Sequence, residues 1–268
     1  MKTLTELANF YGTDKGTNAG NGLPCHNYTS TYSEYMESSR GKNVNLLEIG
    51  VLYGNSVKMW TDYFTNGFIY GIDTFPTSRF KKQFSRLIDQ RVRLKNFDSE
   101  GVRTVGEYYA NEIQNMLDPE RCKVSFCSQA YIDDGNVEDY TDSNRDFENF
   151  IGLKSFMKNE NYPQFDFIID DGSHKQEDHQ IAFAYLFDYL KPGGIYFIED
   201  LGTPKHHKGL VNFYKKTAPS TSSIFKEFIK NKTINSNYIE DSEKLESKIS
   251  ECKFHNSSKL VAIQKKED

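Results

Sequence analysis

Two apolar runs that each end in a pair of acids constrain this chain most. Residues 165–169 lead into Asp170-Asp171, with His174 three residues beyond, and residues 195–198 lead into Glu199-Asp200. Between them Ile181, Phe183, Ala184, Leu186, Phe187 and Leu190 recur at close to helical spacing, predicting a helix over 178–190 that Pro192-Gly193-Gly194 breaks. A strand–helix–strand unit of this kind runs its strands parallel, with a right-handed crossover. Both acidic pairs then stand side by side at the carboxyl edge of the sheet, where open α/β folds bind ligands. Carboxylates crowded there repel one another unless a cation lies between them, and oxygen donors favour a hard cation such as magnesium.

The chain opens with a related pattern. Residues 44–49 (VNLLEI) read as a buried strand, followed by Gly50, Gly54, Asn55 and Ser56, a helix over 57–63, and a strand over 68–72 that ends at Asp73. Asp73 follows Gly54 by 19 residues, the spacing expected between a nucleotide-binding glycine turn and its ribose-binding acid. The GxGxxG fingerprint is incomplete, with only Gly50 and Gly54 present and Glu48 before them. A dinucleotide pyrophosphate needs close backbone donors at the helix start. S-adenosylmethionine has no pyrophosphate. It needs room for a zwitterionic methionine tail and an acid for two ribose hydroxyls, which ExGxxxG with a later Asp suits better. An ordinary tight turn is the plainer reading.

A third strand is expected over 124–127, placing Ser128 and Gln129 at its carboxyl end, where nucleoside sites commonly meet adenine. The ninety or so residues between Asp73 and Phe165 exceed one strand–helix step and point to an insertion around 77–160. At the N-terminus a helix over 4–10 runs into a glycine-rich polar loop over 12–22, then His26-Asn27-Tyr28 and an aromatic helical stretch. Residues 1–42 thus read as a helical cap whose loop either packs on the sheet or forms a lid over a site, and 43–268 as the main domain. Residues 205–208 (KHHK) read as a solvated loop, 212–232 as a helix interrupted at Pro219, and 249–254 with 260–264 as a closing hairpin.

Composition excludes some classes. The net charge of −5 gives no bulk attraction to nucleic acid. No run approaches the roughly 18 apolar residues of a membrane span, and the N-terminus lacks the apolar centre of a secretory signal. The four cysteines form no CxxC pair, which suits a reduced, cytoplasmic protein. The 20 Phe and 17 Tyr can fill a core efficiently, and together with the insertion they admit a homo-oligomer.

With YGTDKG, a following His26-x-Tyr28, LLEIGVLYGNS, GID at 71–73, IDDGSH and IED in place, the chain resembles the class I S-adenosylmethionine-dependent methyltransferases. More narrowly it resembles the metal-dependent O-methyltransferases of macrolide sugars of the mycinose type and their surface-glycan relatives. The resemblance covers most of the chain and is poor in the insertion and over 205–248. It implies an α/β, Rossmann-like fold: a mostly parallel seven-stranded sheet, helices on both faces, and a terminal antiparallel hairpin strand. It further implies magnesium held by Asp171, Glu199 and Asp200, with His174 as the base. Glu48, Gly50, Asn55 and Ser56 would surround the methionine end of the donor, with Asp171 beside them. Asp73 would take the ribose hydroxyls, and Ser128 and Gln129 would lie near adenine. The implied acceptor is a small-molecule, nucleotide-linked or glycan sugar hydroxyl. Singly, the acids could be helix caps or strand ends and His174 a surface residue. Two other functions use the same residues: a hydroxylase-like enzyme with iron on His174 and the carboxylates, and a non-catalytic nucleoside-binding subunit.

Overall fold

The structure, a computed structural model, describes residues 1–18, 24–51, 54–74, 118, 120–127, 162–172, 174, 176–201, 219–239 and 241–267. Apart from 118 and 120–127, the expected insertion around 77–160 lies outside these residues, as do Ser128, Gln129 and the KHHK loop.

Seven strands form one sheet: β1 (Asn45–Ile49), β2 (Phe68–Thr74), β3 (Cys122–Cys127), β4 (Phe165–Asp170), β5 (Leu190–Ile198), β6 (Ile249–His255) and β7 (Leu260–Lys265). Their order is β3-β2-β1-β4-β5-β7-β6. The first five pair in parallel, and β7 joins β5 and β6 antiparallel. This is the mostly parallel seven-stranded sheet, closed by an antiparallel hairpin, of the class I methyltransferase fold.

Among the described residues the α-helices are α1 (Leu4–Tyr11), α2 (Thr29–Met36), α3 (Asn55–Tyr63), α4 (Gln176–Leu186), α5 (Thr221–Asn231) and α6 (Ser242–Lys248). A capping box fixes the start of α1, where Thr3 and Glu6 satisfy each other's backbone N–H groups, and Gly12 ends it in the left-handed conformation. Strand alternation divides the core into two layers. Leu46, Phe167, Ile169, Phe197 and Ala262 face one way and pack with Trp60 and Phe64 of the α3 segment. Leu47, Ile168, Tyr196, Ile198, Val261 and Ile263 face the other, against Phe183 and Leu186 of α4 and Phe225 and Phe228 of α5. The N-terminal segment belongs to the first layer: Leu4, Leu7, Tyr28, Tyr32 and Met36 are buried in it. The Tyr32 ring meets Trp60 and Phe197 edge-on, at 5.3 and 4.9 Å between centroids.

One expected boundary differs. The helix does not run to Leu190 and end at Pro192-Gly193-Gly194. It ends at Leu186, a 3-10 turn spans Phe187–Tyr189, and β5 already begins at Leu190. The Pro-Gly-Gly lies in the strand, where pairing slips from Phe165 with Leu190 to Phe167 with Ile195. A Cβ on Gly194 would come within 2.9 Å of the Lys191 carbonyl and 3.1 Å of that of Asp166. These residues therefore make a bulge against β4 rather than a helix stop. No helix among the described residues is long and apolar enough to cross a membrane.

Candidate active site

Strand register brings the acids together. Ile49 pairs with both Ile72 and Asp170, and Asp170 pairs with Ile198. The ladder then continues one residue further: Gly50 N–H donates to the Ile72 carbonyl, Asp171 N–H to that of Ile49, and Glu199 N–H to that of Asp170. Gly50, Asp171 and Glu199 therefore leave the sheet side by side. Asp170, one residue earlier, points the other way. It is buried, accepts from Tyr196 Oη at 3.3 Å, and does not join the cluster.

Ligand atoms of Asp171, His174 and Asp200 all lie within 4.8 Å of one another. His174 Nδ1 is 4.0 Å from Asp171 Oδ1, and its Nε2 is 3.9 Å from Asp200 Oδ2. The other oxygen of each acid is taken by the protein. Asp171 Oδ2 accepts from Lys15 Nζ at 2.5 Å. Asp200 Oδ1 accepts from Tyr28 Oη at 2.6 Å and lies 3.2 Å from His26 Nδ1. Both acids thus turn one oxygen toward the His174 ring. Glu199 is more deeply placed: Lys15 Nζ lies 2.8 and 3.0 Å from its two oxygens, and the Tyr32 hydroxyl donates to Oε1. His174, Asp200 and Asn27 have positive φ angles of 59°, 52° and 54°. Side chains rarely adopt that conformation, and it concentrates at functional sites.

The charges follow these contacts. Burial works to raise the Asp200 carboxyl, but hydrogen bonds from His26 and Tyr28 and the nearby histidine charges overcome it and hold it below the ordinary range. His26 is raised in return, mainly by its bond to Asp200. Burial alone would lower Lys15, yet Asp171, Glu199 and Glu48 hold it well above the usual lysine value, so it is an ammonium at neutral pH. Burial drives His179 down to about 3. This ring is neutral and stands 6.3 Å from that of His174.

Asp170 gives a pH test. Burial pushes its carboxyl from the ordinary aspartate range up to about 7. The folded state then holds the proton more tightly than the unfolded chain. Stability from this group is complete below about pH 4 and is lost as pH rises toward 7, by about 4 kcal/mol at ~1.4 kcal/mol per unit. Asp170→Asn should flatten that part of the stability curve, measured by urea unfolding between pH 5 and 8. An unchanged slope would contradict the assignment.

The glycine turn borders the same edge. Glu48 is fully buried, accepts from Ser56 Oγ at 2.7 Å and lies 3.5 Å from Lys15 Nζ. Gly50 has φ +87° and packs on the Asp171 backbone. Asn55 and Ser56 open α3. Asp73 Oδ2 accepts from Val51 N–H at 2.9 Å, which fixes its orientation at the tip of β2. Sequence reasoning placed these residues but assigned no role to Lys15, Tyr28, Tyr32 or His26. The only signal for Lys15, His26 and Tyr28 was the YGTDKG and HNY wording itself, and Tyr32 read as one aromatic of a helical stretch.

No protein-family model matches the chain. The 8-demethyl-8-alpha-L-rhamnosyl tetracenomycin-C 2'-O-methyltransferase of Streptomyces olivaceus is 28% identical over 207 residues, 75% of this chain and 38% of that protein. The L-olivosyl-oleandolide 3-O-methyltransferase of Streptomyces antibioticus is 27% identical over 185 residues, 66% of this chain and 33% of that protein. The demethylmacrocin O-methyltransferase of Streptomyces fradiae is 28% identical over 207 residues, 75% and 36% respectively. The chain thus spans little more than a third of the length of these relatives. Among solved structures, the MycE methyltransferase from the mycinamycin biosynthetic pathway, in complex with Mg, SAH and mycinamycin VI, matches with a TM-score of 0.59 at 22% identity. That match covers 99% of this chain and 55% of the other. The chain is thus similar in sequence to natural-product sugar O-methyltransferases over part of their length, and it shares the class I methyltransferase fold.

Proposed function

We propose that this chain carries an S-adenosylmethionine-dependent, magnesium-dependent O-methyltransferase activity toward a sugar hydroxyl, in natural-product glycan or surface-polysaccharide synthesis. The observation that carries the reading is the convergence of Asp171, His174 and Asp200 beside the Gly50–Ser56 turn. The relatives' names supply the acceptor class, a sugar on a small molecule; a nucleotide-linked sugar is the other form it can take.

The donor set fits a divalent ion. Two acids each turn one oxygen toward a common point, and the excess negative charge is only partly neutralised by Lys15. Asp171, Glu199 and Asp200 would hold the ion, which when bound stabilises negative charge developing on the acceptor oxygen. His174 takes the hydroxyl proton as the oxygen attacks, the sulfur–methyl bond breaks and the oxygen–methyl bond forms. Its side chain is 40% exposed, so an acceptor can reach it. Glu48, Gly50, Asn55 and Ser56 wall the methionine end of the donor, with Asp171 beside them. Asp73 takes the ribose hydroxyls, and Ser128 and Gln129 are assigned to the adenine. The enzyme's main contribution is positioning, which can supply several kcal/mol of barrier reduction. Cys25, Cys122 and Cys252 are free thiols, in keeping with a reducing, cytoplasmic setting.

The test is a methyl-transfer screen over rhamnosylated small molecules, nucleotide sugars and glycan precursors, read by mass shift. Transfer should require magnesium and be abolished by chelation. An imidazole beside two carboxylates also suits iron in a facial triad. Oxygen consumption without S-adenosylhomocysteine formation would favour the hydroxylase instead.

A further inference from the structure

Lys15 comes from a loop, yet it is 1% exposed. A small backbone lattice drives it inward. Gly16 N–H donates to the Thr13 carbonyl, His26 N–H to Asp14, Asn27 N–H to Gly16 and Thr29 N–H to Lys15 itself. The ammonium ends 2.5 Å from Asp171 Oδ2, 2.8 and 3.0 Å from the Glu199 oxygens and 3.5 Å from Glu48 Oε1. The ammonium donates to Asp171 and Glu199 and forms an ion pair with Glu48. Burying an ammonium is costly unless charge and geometry compensate it. Here the compensation comes from carboxylates that would otherwise repel one another. Two of them, Asp171 and Glu199, are residues assigned above to the divalent ion.

We propose that Lys15 is a built-in cation that shares Asp171 and Glu199 with the divalent ion. The ammonium and the ion therefore oppose each other at those two acids. Lys15 holds the strand tips together without the ion, and it limits how tightly the ion binds, so the ion stays exchangeable. This rests on the ion-site reading above.

The experiment titrates Mn²⁺ into the wild-type chain, Lys15→Met, Lys15→Gln and Lys15→Arg, following free Mn²⁺ by electron paramagnetic resonance. Thermal melting with and without Mn²⁺ accompanies it. Removing a positive charge this close to a dication should tighten binding about tenfold in Lys15→Met and Lys15→Gln. The ion should also raise their melting temperature more than it raises that of the wild type, while Lys15→Arg stays near wild type. Equal or weaker Mn²⁺ binding in both neutral variants would overturn the proposal. So would neutral variants that do not fold even at saturating Mn²⁺, because the ion should then replace the ammonium. A wild-type chain that binds no Mn²⁺ would instead remove the ion site itself, which separates the two failures.

Discussion

His174→Ala should lower the turnover of methyl transfer by about 10²–10⁴-fold while leaving the affinity for S-adenosylhomocysteine within about threefold. The size follows from the role. A sugar hydroxyl keeps its proton at neutral pH, and an imidazole nitrogen is well suited to accept it. Among the described residues, the His174 ring is the group that Asp171 and Asp200 flank from both sides, at 4.0 and 3.9 Å. Its Nδ1 has no hydrogen-bond partner, so the ring is not committed to holding the fold together. The substitution should therefore spare stability. A parallel Mn²⁺ titration divides two roles. A base leaves ion affinity nearly unchanged, whereas a ligand lowers it with the rate. Unchanged turnover would show that His174 is not the base, whereas a wild-type chain that binds S-adenosylhomocysteine but transfers no methyl group would point to a non-catalytic nucleoside-binding subunit.

The parts of the site legible in the sequence are those encoded locally. Asp171 and Glu199 follow apolar runs that read as the two strands of a strand–helix–strand unit, so their adjacency follows from the expected parallel topology. The Glu48–Gly50–Asp73 arrangement was legible for the same reason. Pro192-Gly193-Gly194 was misread because a bulge inside a strand and a helix stop use the same residues. Lys15 was not legible at all. Its partners Asp171 and Glu199 lie 156 and 184 residues away in sequence, and a lysine in a glycine-rich loop gives no sign of burial. Tyr28 and Tyr32 read as ordinary aromatics of a helical cap, though their hydroxyls complete the shells of Asp200 and Glu199. The long-range half of the site is thus contributed by the N-terminal segment, and only packing reveals it.

Gly50→Ala should be the most damaging single methyl in the sheet. Gly50 follows β1, its φ is +87°, and a Cβ there would lie 2.0 Å from the Asp171 carbonyl oxygen and 2.7 Å from its carbonyl carbon. Nothing at that contact is a flexible side-chain end; both atoms are backbone, held by the Asp171 N–H bond to Ile49. The left-handed conformation costs a non-glycine residue roughly 1–2 kcal/mol, and overpacking adds typically about 1–3 kcal/mol. A loss of about 2–5 kcal/mol is therefore expected, read as a fall in the urea midpoint. The neighbouring control is Gly172→Ala, whose Cβ would meet Asp170 Oδ1 and Ile49 Cγ2 at an ordinary 3.4 Å, and which should cost far less. The functional loss should exceed the stability loss. To accommodate the methyl, the β1 and β4 tips must separate, and that carries Asp171 away from Lys15, Glu199 and His174 together. Methyl transfer and Mn²⁺ binding should both fail in Gly50→Ala even at temperatures where the variant stays folded. A folded Gly50→Ala variant with wild-type Mn²⁺ affinity would show that the ion does not depend on where this strand tip places Asp171.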